Sequence, residues 1–181
     1  MKRRLLRIAA CLLLCLAALP LSAAADTGPK PAVTVHVVNA PEGTYYLDLL
    51  ITDPDDYENI DPADYDPELI AGLKNWEDEG WYPALVEGTN APLFGNLTPG
   101  EDGAHRFTYF GLPQTFRIAV SGPGGAQATA EPFTRTVFYT RLTYDWQTNT
   151  VTQATSPAGF YGLQFLSTLA PTLIVEGLLL W

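Results

Sequence analysis

The chain is short of cysteine, methionine and positive charge, and the first and last of these shortages exclude most. Its 181 residues hold two cysteines, Cys11 and Cys15, and both fall in an N-terminal stretch with the form of an export signal. Lys2, Arg3, Arg4 and Arg7 give a basic start, an apolar run follows from Ile8 to Leu21, and Ser22-Ala23-Ala24-Ala25 places small residues where a signal peptidase cuts. Cleavage is expected between Ala25 and Asp26, because the apolar run is short for a membrane span and is interrupted at Pro20. Loss of residues 1–25 leaves no thiol, which excludes a disulfide framework, a thiol nucleophile and a thiolate metal site. Ile8-Ala9-Ala10-Cys11 has the outline of a lipoprotein acylation box, but too little apolar sequence precedes Cys11 for that role.

Positive charge is scarcer still after cleavage. Four of the ten basic residues leave with the signal and none of the twenty acidic ones do, so six face twenty, a net charge of roughly −14. Nucleic acid is excluded as a partner on this ground, and so is docking on an anionic lipid surface by charge. Catalytic motifs are missing too. No HExxH, GxSxG elbow or phosphate-binding glycine loop occurs, and His36 and His105 lie far apart at strand positions. Leu112-Pro113-Gln114-Thr115-Phe116 resembles a sortase signal but lacks its glycine and lies mid-domain.

What the sequence does contain is alternation. Val33, Val35 and Val37 repeat with period two, and after Asn39-Ala40-Pro41-Glu42-Gly43 the pattern resumes as Tyr45, Leu47, Leu49 and Ile51. This predicts a strand, a turn and a second strand, paired as a hairpin. Further strands are expected over 104–110, 115–121, 134–145 and 150–155, separated by Gly111-Leu112-Pro113, Gly122-Pro123-Gly124-Gly125 and Trp146-Gln147-Thr148-Asn149. The spacing predicts a mainly β domain over 26–159: a small antiparallel β-sandwich of about seven strands, immunoglobulin-like or transthyretin-like, with an open barrel as the competitor.

One helix, 67–79, is expected inside it. Asp66 suits its N-cap and Pro67 its first position, Tyr65 is placed to staple against Ile70, and Gly80 suits a left-handed end. Leu69, Ile70, Leu73 and Trp76 form the buried stripe, with Glu68, Lys74, Glu77 and Asp78 facing out.

Ahead of this helix runs ITDPDDYENIDPADYDPEL, residues 51–69. Its carboxylates, Asp53, Asp55, Asp56, Glu58, Asp61, Asp64 and Asp66, suggest calcium, which takes several converging oxygen ligands. The register is poor: Tyr57 stands where a third ligand is needed, and no turn glycine or closing glutamate follows. Asp53, Asp55, Asp56 and Asp61 are therefore weak metal candidates at most, no cofactor is assigned, and the run reads as a solvated connector whose aspartates make turns and caps. The same acids near Trp76, Trp81 and Tyr82 would suit a surface-glycan ligand or glycan cleavage, although Trp76 already belongs to the helix stripe.

The last 22 residues, 160–181, contain one charge, Glu176, and would span about 33 Å as a helix. A transmembrane helix is expected, which places the chain at the cell membrane with its bulk extracytoplasmic. Gln164, Ser167, Thr168, Pro171, Thr172 and Glu176 fall on one half of its circumference, opposite Leu166, Leu169, Leu173, Ile174 and Leu180. Glu176, with Gln164, is the intramembrane polar candidate, because a carboxylate in hydrocarbon needs a partner. No basic cluster follows, so further helices are expected, from more C-terminal sequence or from another chain.

The blocks NAPEGTYYLDLLI, NWEDEGWYPAL, PLFGNLTPGEDG, RTVFYTRLTYDWQT and FLSTLAPTLIVEGLLLW together resemble an uncharacterised group of exported bacterial membrane proteins. That resemblance implies a signal peptide and a β-rich outer domain ahead of several membrane helices, and assigns no catalytic residue. The expected role is a non-catalytic interaction or sensing module serving the membrane portion. The alternative is a cell-surface glycan-binding or glycan-cleaving domain that uses the acidic and aromatic residues at 53–82, and a surface glycan or a protein is the expected ligand class.

Overall fold

Alternating apolar residues build two sheets that share one core. A computed structural model describes residues 29–54, 57–89, 92–154 and 157–180. The expected signal peptide, together with Asp55 and Asp56, lies outside them. The first sheet is ordered β4 (Ala104–Thr108), β1 (Ala32–Val38), β8 (Tyr139–Asp145), β9 (Thr150–Gln153). The second is ordered β3 (Tyr82–Pro83), β2 (Tyr46–Ile51), β5 (Thr115–Gly122), β6 (Gly125–Ala128), with β7 (Phe133–Thr134) also on β5. Val33, Val35, Phe107, Leu142 and Tyr144 of the first sheet meet Leu47, Leu49, Ile51, Phe116, Ile118 and Val120 of the second in one buried cluster.

Three expectations about the strands are corrected. Strands β1 and β2 do not form a hairpin: they lie in different sheets, and 39–45 arches between them. A hairpin and an arch give the same alternation, because in both cases Val33/Val35 and Leu47/Leu49 face one core. The domain is not wholly antiparallel either. β1 pairs parallel with β8, from Ala32↔Tyr139 to Val38↔Asp145, while its other edge pairs antiparallel with β4. The expected single strand 134–145 is two, because the chain changes sheets within it. β7 pairs with β5, β8 with β1, and at the corner Arg135 donates from Nε to the Pro113 carbonyl at 2.8 Å and from Nη2 to that of Leu112 at 3.1 Å.

The second sheet is buried on both faces, which is why every residue of β2 is buried. Its outer face is covered by α1 (Pro67–Leu73) and by the acidic connector. Tyr46, Leu50, Ala119 and Ala128 of the sheet meet Leu73, Ile60, Leu85 and Leu97 in a second cluster, with Tyr65, Leu69, Ile70, Trp76 and Trp81 packed against it. Small residues set the close approach: a Cβ on Gly72 would stand 2.2 Å from Ser121 Oγ and 3.2 Å from the Ala126 Cβ.

Helix α1 is shorter than the expected 67–79. Asp66 caps it, Oδ1 accepting from the N–H groups of Glu68 at 2.9 Å and Leu69 at 3.4 Å, but the α-helix stops at Leu73 and a 3-10 turn follows at Glu77–Glu79. The end is closed by paired bonds, Gly80 N–H to the Glu77 carbonyl at 2.9 Å and Trp81 N–H to that of Trp76 at 3.1 Å, with Gly80 at φ +80°. This is a Schellman closure, and its usual apolar contact falls to Trp76 and Trp81. Tightening after Leu73 turns Trp76 back onto the sheet, keeping the expected stripe buried.

Helix α2 (Pro157–Leu180) follows β9 and behaves differently. Its stretch Tyr161–Leu179 is long and apolar enough to cross a bilayer, and no part of it is buried.

Candidate functional site

The acidic connector is pinned by its apolar and amide residues, and among the described residues its carboxylates do not converge. Tyr57 Oη donates to the Gly111 carbonyl at 2.7 Å, Ile60 enters the second cluster, and Asn59 bridges to Glu87, accepting its N–H at 2.8 Å and donating to its carbonyl at 3.1 Å. Asp61 caps the short 3-10 turn Pro62–Asp64 by accepting from Ala63 N–H at 3.0 Å, and Asp66 caps α1. Asp53 is exposed at the end of β2. Among the described residues no three His, Cys, Asp or Glu side chains group as metal ligands.

A cleft of 510 Å³ opens between α1 and the β5–β6 turn, lined by Asp66, Glu68, Asn75, Ser121 and their neighbours. Asp66 and Glu68 reach it, whereas Trp76 and Trp81 lie in the second core and not in its lining. Among the described residues, the acidic and aromatic side chains that the sequence placed side by side therefore do not meet in this cleft.

Three buried ionisable side chains were not singled out as candidates from the sequence. Asp48 is fully buried on the covered face of the second sheet; its Oδ1 accepts from Leu49 N–H at 2.8 Å and its Oδ2 from Leu85 N–H at 2.7 Å. Burial pushes its carboxyl up to about 7, against the pull of the backbone N–H groups of Leu85, Leu49 and Ala84. The bond to Leu85 holds a non-glycine residue at φ +46°, so Asp48 fixes the turn that brings 84–86 back over the sheet. Arg117 on the same face turns away from Asp48. Its Nε donates to the Thr129 carbonyl, its Nη1 meets Glu79 at 3.0 Å, and its guanidinium lies 5.7 Å from the Trp81 ring, tying the end of the α1 segment to β5. The near-continuous apolar run around Asp48 in Tyr46–Ile51 is the mark of a strand buried on both faces, but nothing local in it points to the partner at Leu85.

His105 lies on the core face of the first sheet, fully buried. Its Nε2 is 3.5 Å from Tyr45 Oη, and among the described residues its Nδ1 has no hydrogen-bond partner. Burial holds its imidazole down at about 4. It is thus a neutral core residue, as its strand position suggested.

On α2 the polar arc is mostly self-satisfied. Ser167 Oγ donates to the Gln164 carbonyl at 2.7 Å, Thr168 Oγ1 to that of Phe165 at 2.9 Å, and Thr172 Oγ1 to that of Thr168 at 2.9 Å. Gln164 and Glu176 are exposed, and among the described residues no side chain pairs with either.

No family model, curated protein or solved structure matches the chain. The functional reading therefore rests on the geometry of the described residues: two satisfied buried ionisable groups on the covered sheet, a cleft beside α1, and an apolar helix that meets the domain at Tyr161 and is otherwise exposed.

Proposed function

We propose that this is a membrane-anchored protein whose exported β-domain serves as a non-catalytic interaction or sensing module. One observation carries the reading: Tyr161–Leu179 is bilayer-length, apolar and wholly unburied, so burial of its side chains has to come from lipid or from other helices. The export-signal pattern at 1–25 supports an outer location for the domain, and the resemblance to exported bacterial membrane proteins with several C-terminal helices supports further spans. Glu176 is the residue we assign to helix–helix contact within the membrane. Alkaline extraction of membranes tests the anchor: the chain stays in the pellet and is released by detergent, and its recovery in the soluble fraction sinks the reading.

Of the two sandwich types expected, the transthyretin-like one has the better support. An immunoglobulin-type arrangement keeps its first two strands together in one sheet, whereas β1 and β2 are in different sheets here. The alternative function, a glycan-binding or glycan-cleaving domain, has less support, because Trp76 and Trp81 are committed to the second core. Tryptophan fluorescence during titration with cell-surface sugars separates the two: a saturable response favours the glycan reading.

A further inference from the structure

Outside α2, four large apolar side chains are exposed among the described residues, and they are not scattered. Three of them, Phe110 at 62 %, Phe138 at 45 % and Tyr139 at 46 %, lie at one end of the first sheet; only Val38, at 41 %, lies at the other. The register fixes this. Thr108, Ala32 and Tyr139 form one row across β4, β1 and β8, with Phe110 just beyond Thr108 and Phe138 just before Tyr139. The chain neighbours are stitched together there, Ala32 N–H to the Phe138 carbonyl at 2.9 Å and Tyr109 N–H to the Pro31 carbonyl at 3.3 Å. Lys30 belongs to the same end, its ammonium 4.3 Å from the Tyr109 ring centroid and 5.7 Å from that of Phe110.

This is also the end from which α2 leaves. Tyr161, in the second turn of α2 and 51 % exposed, donates from Oη to the Thr136 carbonyl at 3.2 Å, two residues before Phe138. The depth of that contact follows from length. The 19 residues Tyr161–Leu179 span about 28 Å as a helix, close to the full hydrocarbon thickness, so a span that uses them holds Tyr161 at the boundary. Thr136, Phe138 and Tyr139 are then at headgroup depth, where aromatic side chains are favoured.

We propose that the Phe110/Phe138/Tyr139 end of the β-domain docks into the interfacial layer of the bilayer that α2 crosses. The inference rests on reading α2 as a span. It commits to lipid as the occupant because these rings continue from Tyr161 at the boundary of the span. Docking is by aromatic insertion and not by charge, since acidic side chains dominate the domain and Asp53 is exposed beyond β2. Two consequences follow: the domain stands on the membrane instead of swinging on a tether, and the 510 Å³ cleft beside Gly122–Ala126, at the opposite end of β5 from Thr115, faces away from the bilayer.

Site-directed spin labelling tests this on the full chain after signal removal, reconstituted in phosphatidylcholine vesicles. Cysteine is otherwise absent, so single labels at Val38→Cys, Thr136→Cys and Leu173→Cys are unambiguous. Val38 lies about 20 Å along β1 from the aromatic row and serves as the water reference. The expected result is a label at 173 accessible to oxygen and shielded from a nickel chelate, with the label at 136 several-fold more shielded than that at 38 and insensitive to salt. A second arm, Phe110→Ser/Phe138→Ser/Tyr139→Ser with unchanged circular dichroism, returns position 136 to the accessibility of 38 while 173 stays in lipid. A lipid-shielded 173 with 136 as accessible as 38 overturns the docking and keeps the span. A water-accessible 173 overturns the span itself.

Discussion

The two helices solve opposite problems. Helix α1 has seven residues, too few to be stable alone, yet it has a side-chain cap, a closed C-terminal turn and one apolar stripe seated on a sheet. Helix α2 has 24 residues, no basic residue in its last turn, and a bilayer-length apolar stretch none of which is buried. Their difference teaches that the length of an apolar run says less than what it is matched to. In α1 the stripe Leu69, Ile70 and Leu73 packs with the cluster that holds Leu50, Ala119 and Ala128, whereas in α2 the counterpart must come from outside the β-domain.

Charging α2 breaks the comparison most severely. Replacing Leu166 and Leu173, both exposed on the apolar side, by arginine costs about 6 kcal/mol of insertion at roughly 3 kcal/mol each near the helix centre. Alkaline extraction is expected to move the double variant into the supernatant, with no change in the thermal unfolding of the β-domain. On α1 the corresponding change is Leu73→Ala. Leu73 is fully buried in the second core, so its loss costs about 2–5 kcal/mol. Denaturation in detergent would show the lower midpoint, while retention in the membrane stays as it was. If either variant produced both effects, the two regions would not be independent.

The acid in the core beneath α1 offers a finer test, because its titration has the opposite sign to that of the buried histidine. Asp48 keeps its proton in the native state up to about 7, but releases it near its ordinary value of 3.8 once unfolded. The native state therefore holds the extra proton between these limits, and stability falls as pH rises through the window, by at most about 1.4 kcal/mol per pH unit. His105 binds its proton in the unfolded state near 6.5 and in the native state only near 4, so its contribution rises with pH over that range. In the parent the two slopes oppose each other. Asp48→Asn leaves a stability that climbs from pH 4.5 to 6.5, and His105→Phe leaves one that falls, both measured by urea denaturation across that range. Parallel pH profiles for the two variants would remove the burial argument.

Much of this division was legible in the sequence. Asp66, Pro67 and Gly80 announce the limits of the α1 segment through local chemistry, and the stripe Leu69, Ile70, Leu73, Trp76 gives its buried face. The run after 160 announces α2 by hydropathy alone, although the helix begins earlier, at Pro157. Sheet membership was not legible. Period two reports which side of a strand is apolar, and it is blind to whether the next strand pairs beside it or faces it across the core. The parallel β1–β8 contact joins residues over a hundred positions apart, so no turn signal marks it. The acidic run was readable for the same reason that α1 was: Asp61 and Asp66 act on N–H groups two and three residues away. Asp48 acts on Leu85, 37 residues on, and stayed hidden.

The smallest predicted effect separates the aspartates that cap from those that merely solvate. Asp66→Ala removes the acceptor for Glu68 and Leu69 N–H and should lower stability by about 1 kcal/mol, a typical cost for losing an N-cap. Asp61→Ala removes one bond to a three-residue 3-10 turn and should cost less, and Asp53→Ala, exposed and outside any cap, should stay within about 0.5 kcal/mol. Chemical denaturation of the three single variants ranks them. Because Asp66→Ser restores an oxygen at the same cap without the charge, recovery of most of the loss assigns the effect to hydrogen bonding. Failure to recover assigns it to the charge near the helix start instead, and only in that case would the acidity of the connector be supporting α1 electrostatically.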